Sequence, residues 1–428
     1  MPLLQLPYGR SILPLDAPDG AVVLEPRALP ALADPSAAVR AALTDPIASA
    51  PLRDLARGAR TATIVVNDIT RPCPSRLLVE ALLEELAAAG LSDRDVTLLV
   101  ATGNHRPNTP AELEAMLGAD LCRRLRVVNH DGRDPAVLVT VGVTPRGVPV
   151  EVNRLVVEPD LTILTGNISP HQTAGFSGGR KSIMPGVASE RSLRTHHSAP
   201  IRSLLPVMGQ IDANAFHEEA VAAARIVGVD FIVNSVKNSR GELVAVVAGD
   251  LEAAHAAGVA RCEAAWRVNV GQPFDVAVVS AGGYPKDIDL HQAQKAVASA
   301  ELVTRPGAPI VLVAKCSDGM GRFAAALLRA DSPQVVIDEF LTEGFRGDEH
   351  TSKAYMFARA LREHPIVVVS DRLERETLQR MFLDWAPTPD AGLTRALAIA
   401  GPASRIAVAP HAVDCIFSLA PVTQPADD

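Results

Sequence analysis

The feature that most restricts this chain is a rhythm. Short β-branched runs give way to polar loops and then to amphipathic stretches. Thr61–Val66 (TATIVV) reads as a fully buried strand, followed by the loop NDITRPCP. Ser75 is placed to cap a helix from Arg76 to about Ala89, with Leu77, Leu78, Ala81, Leu82 and Leu86 on one face and Gly90 at its end. Val96–Ala101 is the next strand; its loop TGNHRPNTP leads into a helix around Ala111–Leu117. Leu125–Asn129 and Asp160–Thr165 are further strands. After Gly271 the rhythm restarts with Asp275–Ser280, Pro309–Ala314, Pro365–Ser370 and Arg405–Ala409. Strands alternating with helices imply a mainly parallel sheet covered on both faces. The expected fold is α/β, in two α/β domains with mainly parallel sheets and an interdomain cleft holding the functional site. The first domain is expected over 1–268, joined by the C-terminal stretch 410–428, and the second over 272–409, with a hinge near Arg267–Pro273.

Composition removes whole classes of function. At 428 residues the chain has room for a core without staples, and 48% hydrophobic with 21% charged residues is neither disordered nor low-complexity. Its 41 basic and 49 acidic residues leave a net charge of −8 without blocks of one sign, so no basic patch invites nucleic acid. No apolar run reaches the roughly 18 residues that span a bilayer, and the opening MPLLQLPYGRSILPLD lacks a basic leader and is broken by prolines. Cys73, Cys122, Cys262, Cys316 and Cys415 are scattered without a C-x-x-C, as buried thiols of a reducing compartment are. The expected location is the cytoplasm, with no membrane partner.

In open α/β sheets ligands collect beyond the carboxyl ends of the strands. Three such loops carry unusual polar residues: Asn67–Pro72 (NDITRP), Thr102–Pro107 (TGNHRP) and Gly166–His171 (GNISPH). The densest stretch, GFSGGRKSIMPG, runs from Gly175 to Gly186 and nearly spells a Walker A loop ending in Lys181-Ser182. Arg180 stands where that motif needs its second glycine, and Pro185-Gly186 interrupts the helix that should follow. Two alternatives stay open on these residues: a P-loop-like NTPase or kinase, or a small-molecule-binding protein without chemistry. A lysine in such a loop is otherwise an attachment point if its amine reacts unprotonated. His196 and His197 are adjacent and must point different ways, so one at most faces a given metal, with the remaining ligands supplied by a cofactor. Downstream, GGYP (Gly282–Pro285) ends a strand, and Gln292 and Lys295 stand three apart on one helix face, suited to a carboxylate. Cys316–Gly321 is another strand-end loop bearing glycines.

Together, DITRP, TGNHRP, SPHQTAGFSGGRKSIMPG with His197, and GGYPKDIDLHQAQKA resemble the nickel-pincer lactate racemase family. The 66 residues from His105 to His171, ten more to Lys181 and sixteen more to His197 are similar to that family's intervals. The resemblance implies a 2-hydroxyacid racemase or epimerase carrying a nickel-pincer nucleotide, a pyridinium mononucleotide with two sulfur-bearing arms, covalently attached through Lys181. It implies His197 as the metal ligand and His105 and His171 as the acid/base pair. Arg71, Gln292 and Lys295 would bind substrate; Asp68, Thr70, Ser177, Gly178 and Gly179 would contact the mononucleotide. Cofactor maturation enzymes would be partners. The chemistry is coherent: removing the C2 hydrogen as a proton leaves a dianion-like carbanion, whereas removing it as hydride leaves a neutral oxo group, with imidazoles handling the hydroxyl proton near their ordinary pKa.

One segment departs from the resemblance. The lactate enzyme has a tryptophan near the position of His350 in GDEHTSKAYMFARAL. A polar side chain there, with Lys353 nearby, implies a larger or more polar 2-hydroxy acid such as malate.

Overall fold

A computed structural model describes residues 3–203, 205–345 and 351–419. The chain divides into two compact units. One comprises Ala28–Ser203 with Gly209–Ala265; the other comprises Met1–Arg27, Leu204–Met208 and Trp266–Asp428.

The first unit is built on a six-stranded sheet. Its order is Leu243–Gly249, Phe231–Lys237, Leu161–Ile168, Ala62–Asn67, Val96–Ala101, Arg126–Asn129. All neighbours are parallel except the pair formed by Leu243–Gly249 and Phe231–Lys237. The central strands are buried almost throughout because both faces are covered. The helix Ser75–Ala88 lies over this sheet and buries Leu78, Val79, Leu82, Leu83 and Leu86. Truncating Leu82, wholly buried, to alanine would cost about 2–5 kcal/mol. Ser75 does not cap this helix: it lies within the first turn and Pro74 holds the cap position without a side-chain bond. From Ala62–Asn67 the chain passes to Val96–Ala101 on one side, and later to Leu161–Ile168 on the other. The carboxyl ends of Ala62–Asn67 and Leu161–Ile168 therefore form a topological switch point, where diverging loops leave a crevice.

The second unit has a six-stranded, wholly parallel sheet. Its order is Asp384–Ala386, Ile366–Val369, Ile310–Val313, Val276–Ser280, Ile406–Ala409, Val22–Val23. An antiparallel hairpin, Leu4–Tyr8 with Ser11–Leu15, adds Leu6, Tyr8 and Leu15 to its core. The N-terminal 27 residues thus differ from expectation in belonging here. The reason is a tertiary pairing, Val22 and Val23 beside Ala407 and Val408, which a two-residue edge strand cannot announce. The C-terminal stretch also differs: Ile416–Ser418 pairs in parallel with Arg267–Asn269 inside the second unit. Among the described residues no helix is long and apolar enough to cross a membrane. His350 lies outside the described residues, while Lys353 sits partly buried near the start of the helix Thr351–Glu363.

Candidate active site

Each strand-end loop singled out in the first unit meets the crevice end of the sheet. Asp68 follows Ala62–Asn67 directly and is 3% exposed. One carboxylate oxygen, Oδ1, accepts from the Thr70 N–H at 3.2 Å and the Thr70 hydroxyl at 2.7 Å; the other, Oδ2, lies 2.5 Å from His105 Nδ1. Burial pushes the Asp68 carboxyl up, but the bond to His105, that residue's charge, Arg71 and Thr70 outweigh it, and the pKa ends below the usual carboxylate value. Asp68 is therefore ionised. Both oxygens are engaged by this chain's own groups, and the Arg71 guanidinium in turn donates to Thr70 Oγ1 at 3.2 Å.

The His105 loop is held by its backbone. His105 N–H donates to Thr102 O, Thr102 Oγ1 donates to His130 O at 2.7 Å, and Gly103 N–H donates to Gly186 O at 2.8 Å. The last bond ties it to the end of the glycine-rich segment. Arg106 turns onto Glu112 as a two-pronged pair.

His171 belongs to a small hairpin in which Pro170–His171 pairs with Gly175–Phe176. Its Nδ1 accepts from the N–H groups of Thr173 and Ala174 at 3.2 and 3.1 Å, and its Nε2 lies 3.3 Å from Lys181 Nζ. Gly175 has φ +72, and a Cβ there would stand 2.1 Å from Gln210 O, so only glycine fits. Ser177 staples the base of the hairpin by donating to Asn167 O at 2.7 Å and accepting from Ser169 N–H at 2.9 Å. Gly178 and Gly179 pack inward: a Cβ on Gly178 would meet Asn234 Oδ1 at 2.5 Å, and Gly179 N–H donates to that oxygen at 3.0 Å. The glycines of this loop are required by the protein's own packing.

Arg180 and Lys181 diverge. Arg180 is 1% exposed, and its guanidinium donates to the carbonyls of Ala174, Phe176, Ser177 and Gly178 and to His255 Nε2 at 2.7 Å. Burial pulls its pKa down to about 9. This arginine is the internal clamp of the loop and the reason that no Walker A geometry forms: the chain makes one short 3₁₀ turn, Gly179–Ser182, where a phosphate loop would open a helix. Lys181 Nζ instead stands 5.5 Å from the centre of the Phe216 ring.

The same ring seats both following histidines. His196 is buried 3.9 Å from it, donates from Nε2 to Phe216 O at 3.0 Å, and is pushed by burial to a pKa of about 3. His197 meets it edge-on at 4.9 Å and donates from Nδ1 to Leu193 O at 3.2 Å. Burial first, then His196, Arg202 and Lys181, hold His197 well below its ordinary pKa, so its imidazole is neutral. Phe216 gathers Lys181 and His197, and neither it, Arg180, Asn234 nor His255 was marked as a site residue from the sequence. Asn234 sits on a strand that runs to the same end of the sheet, a signal that could have been read; Phe216 and His255 arrive on distant helices and gave none.

Gln292 and Lys295 lie in the second unit. They fall on two consecutive short helices, Leu290–Ala293 and Lys295–Ala300, and Lys295 Nζ donates to Gln292 Oε1 at 2.6 Å. Asp289 starts the first helix by accepting from Gln292 N–H.

Two family models match this chain: the lactate racemase N-terminal domain over residues 8–205 and the lactate racemase C-terminal domain over 270–417. It is 34% identical over 424 residues to the lactate racemase of Thermoanaerobacterium thermosaccharolyticum, covering 96% of this chain and 98% of that protein. It is also 34% identical over 384 residues to the lactate racemase of Lactiplantibacillus plantarum, covering 88% and 90%. The apoprotein structure of the T. thermosaccharolyticum lactate racemase superposes with a TM-score of 0.88 at 32% identity over 97% of this chain and 99% of that one. A Thermotoga maritima protein shares the fold at 18% identity and a TM-score of 0.65, covering 86% and 97%. Such a fold and such relatives define an isomerase. The chain belongs to the lactate racemase family.

Proposed function

We propose that the protein racemises or epimerises 2-hydroxycarboxylic acids, lactate or a larger or more polar analogue such as malate, with a nickel-pincer nucleotide tethered to Lys181. The observation that carries this reading is the grouping at one sheet end of a lysine amine, an imidazole 3.3 Å from it, and a second, neutral imidazole on the ring that the amine also faces. The residues fit the group. His197 Nδ1 is committed to Leu193 O, which leaves Nε2 as the ligating nitrogen. Bound there, the group would supply a hydride acceptor, so that C2 is never required to carry a carbanion.

The remaining work falls to this chain. Lys181 holds the tether and His197 the metal. His105 and His171 move the hydroxyl proton, and imidazole suits that task near neutral pH. Arg71, Gln292 and Lys295 are each assigned to the substrate carboxylate or hydroxyl. The glycine segment, braced by Arg180, fixes the backbone that carries Lys181.

The test is co-expression with cofactor maturation enzymes, followed by mass analysis of the peptide containing Lys181 and a panel of enantiopure 2-hydroxy acids. The expected result is an added mass on that peptide, absent with all activity in Lys181→Ala, and inversion of a C2-deuterated substrate that keeps its label. Complete washout of the label into water would point to direct proton abstraction and end this reading.

A further inference from the structure

The two imidazoles assigned to proton transfer are held by unlike partners. His105 Nδ1 faces the carboxylate of Asp68 at 2.5 Å, and a carboxylate can only accept. That carboxylate is 3% exposed, ionised, and fixed on its other oxygen by both donors of Thr70. His105 therefore carries its proton on Nδ1. His171 Nδ1 faces two backbone N–H groups, which can only donate, at 3.2 and 3.1 Å. In the neutral ring its proton is on Nε2. The nitrogen that bears the lone pair is set in each case by the hydrogen bond of the other nitrogen.

We infer that Asp68 is a positioning residue, and that with the Thr173–Ala174 turn it holds the acid/base pair in opposite tautomers: His105 with a bare Nε2 that accepts the hydroxyl proton, His171 with an Nε2–H that donates a hydrogen bond. This deepens the racemase reading and rests on it for its catalytic meaning. The pair is then not two copies of one group. When His105 takes a hydroxyl proton at Nε2, the electron pair stays on oxygen and the new imidazolium meets the buried Asp68 carboxylate. At His171 Nδ1 the neighbours are the N–H groups of Thr173 and Ala174. Its Nε2 lies 3.3 Å from Lys181 Nζ.

The experiment uses the full-length apoprotein with ¹⁵N-labelled histidine, the signals of His105 and His171 being assigned through His105→Gln and His171→Gln. The expected spectrum has His105 protonated on Nδ1 and His171 on Nε2. Asp68→Asn moves His105 toward the Nε2–H tautomer, leaves His171 unchanged, and Asp68→Glu restores the wild-type pattern in part. In the cofactor-loaded enzyme Asp68→Asn lowers kcat about 10²-fold or more with KM within about twofold. An Nε2–H tautomer for His105 in the wild-type protein, or an unaltered His105 signal in Asp68→Asn, overturns the inference. Opposite tautomers in a loaded protein that inverts no 2-hydroxy acid would leave the positioning intact and strike down the racemase reading instead.

Discussion

Both units carry a parallel sheet with a topological switch point, yet they treat that crevice in opposite ways. In the first unit Asp68, His105, His171 and Lys181 lie on loops that follow its strands. In the second, the switch point lies between Val276–Ser280 and Ile406–Ala409, and the chain covers it with its own hairpin turn. Tyr284 N–H donates to Gly9 O at 2.8 Å, Ser280 Oγ to Pro7 O at 2.6 Å, and Gly9 N–H to the Asp287 carboxylate at 2.6 Å. Across the same crevice Lys286 pairs with Asp414. Topology nominates a place for a ligand. Whether the place is used depends on what the chain lays over it.

The sharpest way to break this contrast is to remove chemistry from the crevice assigned to it. His105→Ala and His171→Ala should each lower kcat/KM of the loaded enzyme by about 10²–10⁴-fold, measured by chiral chromatography; retained activity in the double variant would take the pair out of the mechanism. Next in size, Gly175→Ala should cost the first unit about 2–3 kcal/mol or more, because a Cβ there meets Gln210 O at 2.1 Å on a left-handed backbone. Gly58→Ala, also left-handed but with nothing within 4 Å, should cost about 1 kcal/mol. Thermal unfolding of both variants compares packing with backbone strain directly.

Acid should separate the two units further. His130, His196, His197, His217 and His255 in the first unit are all depressed by burial, with Arg180 adding to the effect on His217 and His255. Among the described residues the second unit has His364 and His411 in that condition. A histidine whose folded pKa lies below the ordinary 6.5 binds more protons when unfolded, so its stabilisation is whole above about pH 6.5 and is lost as pH falls toward the folded value, about 3 for His196. Hydrogen exchange at pH 5 should open peptides of the first unit before those of the second; the reverse order would contradict the assignment. The smallest effect belongs to the hairpin. Tyr8→Phe removes the hydroxyl bonded to Asp371 and should lower stability by about 1 kcal/mol while leaving racemisation unchanged.

Much of the site is legible because polar residues interrupt apolar runs at fixed positions. Asp68, His105 and His171 all follow strands that the β-branched pattern identifies within three residues. Lys181 and His197 stand out by glycine context and by pairing with His196. What is not legible is the support. Arg180 reads as a defect in a phosphate loop, and only the fold turns it inward to His255, 75 residues away. Phe216 reads as one more apolar residue of a helix, yet it seats both Lys181 and His197. The contact of Asp68 with His105 is hidden for the same reason: the two residues are 37 apart in the chain and meet only because their strands are neighbours.

The sequence by itself determined the strands, the helices between them and the reactive side chains at their ends, since hydrophobic period and loop polarity are local properties. The tertiary structure decided the partners. It assigned the first 27 residues to the second unit through a two-residue edge strand, closed one crevice with a hairpin, and gave His105 and His171 different neighbours. A hydrogen bond or a packed ring depends on distances across the fold, and no periodicity in the chain encodes which distant residue will lie within 3 Å of another.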